Sequence, residues 1–219
     1  MQQILVYGDS LAWGIIPNTR ERLAFEKRWP GALELLLAEA GLSGRVVEDC
    51  LNGRRTVWDD PFKPGRNGLD GLEQRIEINS PLALVVVALG TNDFQSMHDH
   101  DAWHSSQGVA AVVRAIRRAP IEPGMSAPEI LIVAPPALRS PSGPIAPKFE
   151  GGEAKCAGLA PAYAAVAAEL GCEFFDAASV TPSSTVDGVH LDADQHLVLA
   201  RALADKIGRI LRNGATPAL

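Results

Sequence analysis

Four short segments of this sequence carry residue types that together can transfer an acyl group. Ser10 lies in Gly8-Asp9-Ser10-Leu11, Gly53 in Leu51-Asn52-Gly53-Arg54, Asn92 in Gly90-Thr91-Asn92-Asp93, and Asp187 and His190 in Asp187-Gly188-Val189-His190. A serine hydroxyl is a weak nucleophile and needs a base to accept its proton. The imidazole of His190 can take and return a proton near neutral pH. Asp187, three residues earlier, can accept the imidazole Nδ1–H, which sets the tautomer and stabilises the imidazolium formed during attack. The tetrahedral intermediate then needs donors for its oxyanion. The backbone N–H groups of Ser10 and Gly53 and the side-chain amide of Asn92 are the candidates.

Each segment alone has a plainer reading. Asp9-Ser10 is a helix cap, Asn52-Gly53 and Asp187-Gly188 are turn dipeptides, and Gly90-Thr91-Asn92-Asp93 is a strand-ending loop whose polar side chains bond backbone. Asp93 reads as a brace for the Asn92 loop. What favours chemistry is that all four occur in one chain, each shortly after a strand.

Those strands are short apolar runs without polar alternation: residues 3–7, 45–48, 82–89, 129–134 and 173–176. Such runs suit strands buried on both faces, as in a parallel sheet. Helical patterns lie between them over residues 31–40, 105–118 and 153–170, and a last helix starts near Asp192, with Gln195 completing a capping box. This alternation predicts an α/β fold: a doubly wound, mostly parallel five-stranded sheet flanked by helices, a flavodoxin-like three-layer sandwich occupying residues 1–219 as one domain. Ligands bind at the carboxyl edge of such a sheet, where the four segments must meet. Two long loops, residues 52–80 and 135–150, are expected to be functional or interfacial.

Composition narrows the class. Hydrophobic residues make up 47% and charged residues 21% of the 219, as in ordinary globular proteins. A net charge of −6 with scattered Lys and Arg argues against a nucleic-acid partner. No apolar run approaches the ~20 residues of a membrane span. Cys50, Cys156 and Cys172 show no C-x-x-C pairing, which points to buried thiols in a reduced, cytoplasmic setting. His98, His100 and His104, beside Asp99 and Asp101, have metal-ligand chemistry but read as a solvated loop. His196 reads as a capping or surface histidine. Neither a G-x-G-x-x-G nor a Walker pattern is present, and the serine mechanism requires no metal or cofactor.

The same segments carry a resemblance. GDSL at 8–11, the glycine at 53, GTND at 90–93 and DGVH at 187–190 resemble, in order, the blocks of the SGNH (GDSL) hydrolase superfamily. The family's named residues fall on Ser10, Gly53, Asn92 and His190, with Asp187 in its Asp-x-x-His unit. GDSLAWG, RRTVWDDP, LGTNDF, FEGGE and FFDAAS are similar to the bacterial arylesterase/acyltransferase branch. The second block, LNGRRT, departs from the small residue expected there. The resemblance implies hydrolysis of short-chain and aryl esters, acyl transfer to alcohols or peroxide, and homo-octamers assembled through the long loops. Its partners would be small ester and alcohol substrates. Leu11, Trp13, Phe94, Phe149 and Val189, close to the blocks, are the expected walls of an apolar acyl pocket. The rival readings are a carbohydrate acetylesterase, a thioesterase or lysophospholipase on the same site, and a non-catalytic ligand-binding domain.

Overall fold

A computed structural model describes residues 2–214. In chain order it contains β1 (Gln2–Gly8), α1 (Ser10–Trp13), α2 (Trp29–Glu39), β2 (Gly44–Cys50), α3 (Leu72–Asn79) and β3 (Leu84–Ala88). There follow α4 (Ala102–Arg118), β4 (Glu129–Ala134), α5 (Ala146–Phe149), α6 (Gly152–Lys155), α7 (Leu159–Glu169), β5 (Glu173–Asp176) and α8 (Ala193–Gly214). The five strands form one parallel sheet in the order β2-β1-β3-β4-β5.

Alternate strand residues feed two separate cores, which explains the absence of polar alternation. Leu5, Tyr7, Val85, Val87, Ile130 and Ile132 pack with apolar residues of α3, α4 and α7. Ile4, Val6, Leu84, Val86, Leu131 and Val133 pack with Trp29, Leu33 and Leu37 of α2 and Leu199, Leu203 and Ile207 of α8. The register aligns Gly8 with both Cys50 and Ala88. The segments that leave β1, β2 and β3 therefore emerge side by side at one edge.

Three expectations are corrected. The helix expected over residues 153–170 is broken into α6 and α7, with Gly158 in the left-handed conformation at φ 81° between them. The loop expected over residues 52–80 contains α3, whose sequence LEQRIEIN buries only Leu72 and Ile76 and so shows little periodicity. At the start of α8 the backbone N–H of Asp192 donates to Gln195 Oε1 (2.7 Å), but the Asp192 carboxylate accepts from the Ser184 hydroxyl (2.9 Å). That makes half a capping box. Of the cysteines, Cys156 is buried whereas Cys50 and Cys172 are half-buried, and all three are free. Among the described residues, no helix is long and apolar enough to cross a membrane.

Candidate active site

The nucleophile candidate stands on a turn whose geometry Asp9 sets. Strand β1 ends at Gly8, and Asp9, the N-cap of α1, accepts the Leu11 N–H on Oδ1 at 2.9 Å. Ser10 is thereby the first helical residue at the sheet edge. Among the described residues its backbone N–H finds no hydrogen-bond acceptor, as befits a first-turn donor. Asp9 is 1% exposed, and burial, opposed by the Leu11 N–H and the charge of His190, pushes its pKa up to about 6.

The loop before α8 supplies the other two groups in one compact turn. Asp187 Oδ1 accepts the backbone N–H groups of Val189 and His190, both at 2.9 Å, while Oδ2 lies 2.7 Å from His190 Nδ1. Burial opposes ionisation of Asp187, but these hydrogen bonds and the His190 charge outweigh it and hold its pKa down to about 2. The other ring nitrogen, His190 Nε2, is 3.2 Å from Ser10 Oγ. Gly188 is needed inside this turn for two reasons. Its φ is +77°, and a Cβ would come within 2.6 Å of the Ser140 carbonyl oxygen. The Arg139 N–H donates to Gly188 O and the Ser142 N–H to Asp187 O, so the segment after β4 buttresses the turn.

On the opposite side stand Gly53 and Asn92. The Gly53 N–H, like that of Ser10, has no acceptor among the described residues. Asn92 is more constrained: its Nδ2 donates to Asp9 Oδ2 (3.0 Å) and to the Arg54 carbonyl (3.2 Å), and its Oδ1 accepts from Gln95 Nε2 (2.8 Å). Gln95 Oε1 in turn accepts from the fully buried Arg55, which pairs with Asp60 at 3.0 Å. A continuous polar chain thus runs from Asp60 to Asp9 beneath the site. Asp93 braces the neighbouring loop: it accepts the Thr56 N–H (3.0 Å), the Thr56 hydroxyl (2.8 Å) and the Ser105 hydroxyl (2.6 Å). Arg54, in the LNGRRT block, ties strand ends together. It donates to the Gly8 and Asp49 carbonyls and lies 3.9 Å from the centre of the Tyr7 ring.

Ser10, Gly53, Asn92, Asp187 and His190 all line a single open cleft of about 340 Å³. The expected walls are largely corrected. Phe149 lines the cleft, but Leu11, Trp13, Phe94 and Val189 do not. Phe94 and Val189 are in the core on the α4 side of the sheet, at 0% and 1% exposure. Leu11, one helical step past Ser10, turns toward Trp29 and Leu199 in a separate crevice. Trp13 lies under the Arg22 guanidinium, 4.9 Å away. Adjacency in sequence to a candidate site residue does not place a side chain in the cleft, because successive helical residues point about 100° apart. The actual walls combine Ile15, Ile145 and Phe149 with Asn18, Asn52, Arg20, Lys63 and Lys148. The cleft is therefore mixed, not apolar.

The remaining histidines also differ from expectation. His98 and His100 are half-buried, and His100 stacks between Trp58 (3.9 Å) and His98 (4.8 Å). Among the described residues, no group of His, Cys, Asp or Glu is arranged to hold a metal ion. His196 is fully buried, and its Nδ1 accepts the Trp29 N–H at 3.2 Å. It does cap a helix, but the helix is α2, not its own.

The model of the GDSL-like lipase/acylhydrolase family matches residues 6–198. The chain belongs to that family. This GDSL-family chain is 37% identical to a carbohydrate acetylesterase family member from Sinorhizobium meliloti, over 97% of its own length and 100% of the other, with a TM-score of 0.90. It is 34% identical to an aryl esterase from M. smegmatis, over 96% and 100% of the two chains, again with a TM-score of 0.90. A second carbohydrate acetylesterase from S. meliloti, Est24, is 32% identical over 96% and 100%, with a TM-score of 0.89. No curated protein matches by sequence. The doubly wound five-stranded fold is thus that of SGNH-type hydrolases.

Proposed function

We propose that this GDSL-family chain is a carboxylic ester hydrolase that cleaves short-chain and aryl esters through an acyl-enzyme on Ser10. The observation that carries the reading is one chain of contacts on the cleft floor: Asp187 Oδ2 to His190 Nδ1 at 2.7 Å, and His190 Nε2 to Ser10 Oγ at 3.2 Å. In this mechanism Oγ attacks the ester carbonyl while His190 Nε2 takes its proton. Asp187, held ionised by its donors, stabilises the imidazolium. The free N–H groups of Ser10 and Gly53 and the amide of Asn92 receive the oxyanion. On collapse the alcohol oxygen leaves with the proton from His190, and water then repeats the sequence on the acyl-enzyme. An alcohol or peroxide in place of that water gives a new ester or a peracid, and the apolar wall of Ile15, Ile145 and Phe149 favours such an acceptor.

A second reading, removal of acetyl groups from a carbohydrate, is favoured by the polar wall of Asn18, Thr19 and Asn52 and by the likeness to carbohydrate acetylesterases. Comparing an acetylated sugar with an aryl acetate decides between the two. We also propose that the chain forms a homo-oligomer, supported by Phe62 of the long 52–71 segment, which is 81% exposed. Light scattering checks it.

The deciding test of the chemistry is release of p-nitrophenol from its acetate ester by the wild type and Ser10→Ala side by side. The expected outcome is many turnovers by the wild type and background release by the variant. Activity surviving in the variant means another nucleophile. Background release by both leaves a ligand-binding crevice without this chemistry.

A further inference from the structure

Three cationic side chains from three distant segments border the cleft. Arg20 comes from the turn after α1, Lys63 from the long segment between β2 and α3, and Lys148 from α5. Among the described residues none of them has an ion-pair partner, although eight Lys or Arg side chains elsewhere do. The acidic groups nearby are already engaged. Asp60 pairs with Arg55 and accepts the Phe62 and Lys63 N–H groups, and Asp187 holds His190.

This arrangement runs against the rest of the molecule. The chain carries a net charge of −6, yet its cleft sets three cations against the single carboxylate of Asp187. Arg20 and Lys63 are exposed and Lys148 is half-buried, and positive charge gathered at one cleft lowers the energy of an anion that enters. Lys148 is half-buried, and burial, opposed by the charge of Asp60 and aided by Arg55, Lys63 and Arg20, lowers its pKa. Lys63 is exposed, and its pKa is lowered by what burial it has and by Arg66 and Arg20, against Asp60. All three side chains border one cleft. A small neutral aryl ester uses none of this field.

We propose that Arg20, Lys63 and Lys148 form an anion subsite beside Ser10, and that the esters turned over carry a negatively charged group, such as a carboxylate, away from the scissile carbonyl. The proposal rests on the ester-hydrolase reading and specifies its substrate class. The charged group belongs either to the acyl part or to the alcohol part; both present the same anion to the same cations.

Matched esters separate the arms. Para-nitrophenyl hydrogen succinate carries the anion on the acyl side, with para-nitrophenyl butyrate as its neutral partner. Acetoxybenzoate carries it on the alcohol side, with methyl acetoxybenzoate as its neutral partner. For each pair kcat/KM is measured, divided by the rate of hydroxide-catalysed hydrolysis, and expressed as an anionic-to-neutral ratio. The expected result is a ratio of about ten or more for one pair at low ionic strength, shrinking several-fold in about 0.5 M salt because screening weakens the field. In the double variant Arg20→Ala, Lys148→Met the same ratio falls toward one, with thermal melting confirming that the variant is folded. Ratios near one for both pairs in the wild type, or a preference the double variant leaves unchanged, overturn the proposal while leaving ester hydrolysis standing. If no ester turns over, the hydrolase reading fails instead. Calorimetric titration with benzoate against benzyl alcohol then still decides the subsite, and equal binding of the two overturns it.

Discussion

Asn92 spends both of its amide hydrogens within the protein, on Asp9 Oδ2 at 3.0 Å and on the Arg54 carbonyl at 3.2 Å. To serve an oxyanion it must share one of them, and the longer bond to Arg54 is the one that yields most easily. Gln95 donates to Asn92 Oδ1 from behind and is itself hydrogen-bonded by the buried Arg55. Each donor in that chain polarises the next toward the cleft. Asn92→Ala is expected to lower kcat about 100- to 1,000-fold, the usual effect of losing one oxyanion donor, with KM changing far less. Steady-state kinetics on aryl acetates checks the split. Gln95→Leu should act on both stability and rate, because it leaves Asn92 Oδ1 without a partner and Arg55 Nη2 with only the weak acceptor Met97 Sδ. A loss of about 1–3 kcal/mol is expected in urea unfolding, with a fall in kcat smaller than that of Asn92→Ala. A kcat loss equal to that of Asn92→Ala would mean that Gln95 does more than position the amide.

At the scale of elements, helix α4 holds the loop that carries Gly53. Thr56 contributes its N–H and hydroxyl to Asp93, and Ser105 of α4 donates to the same carboxylate. The contact is close: a Cβ on Gly108 of α4 would lie 2.1 Å from Thr56 Oγ1. Gly108→Ala therefore has to push α4 and this loop apart. Alanine normally favours a helix over glycine by up to ~1 kcal/mol, so a net destabilisation of about 1–3 kcal/mol would show that overpacking wins. A melting temperature at or above that of the wild type would mean the loop gives way freely. The strand positions and the convergence of Ser10, Gly53, Asn92, Asp187 and His190 were legible in the sequence for one physical reason. A strand buried on both faces leaves an unbroken apolar run, and a parallel sheet brings all its strand ends to one edge. Helix α3 was not legible because it buries only Leu72 and Ile76. The cleft walls were not legible either. Asn18, Lys63, Ile145 and Lys148 lie in irregular or very short segments without a period, and the packing that turns Phe94 and Val189 inward leaves no local mark.

For the molecule as a whole, burying titratable groups ties stability to pH. His196 is 0% exposed where the start of α8 meets the start of α2, and burial, with some help from the charge of His190, lowers its pKa to about 3. An unfolded histidine titrates near ~6.5. Between those values the unfolded chain binds a proton that the folded chain refuses, so stability falls as pH drops through the window, by up to about 1.4 kcal/mol per pH unit. Asp9 and Asp93 work in the opposite sense: desolvation raises both to about 6. From there down to the ordinary carboxylate value the folded state takes up protons first and gains stability. Asp187, lowered to about 2, adds a loss only below the ordinary carboxylate range. The net curve mixes these contributions, so the histidine is isolated by comparing the wild type with His196→Gln, whose amide oxygen can still accept the Trp29 N–H. Urea unfolding at about pH 7.5 and about pH 4.5 gives the comparison. The variant is expected to be the less stable protein at the higher pH, where neutral His196 packs well, and to lose roughly 2 kcal/mol less than the wild type on acidification. An equal acid loss in both would show that His196 takes up its proton without opening the contact between α2 and α8.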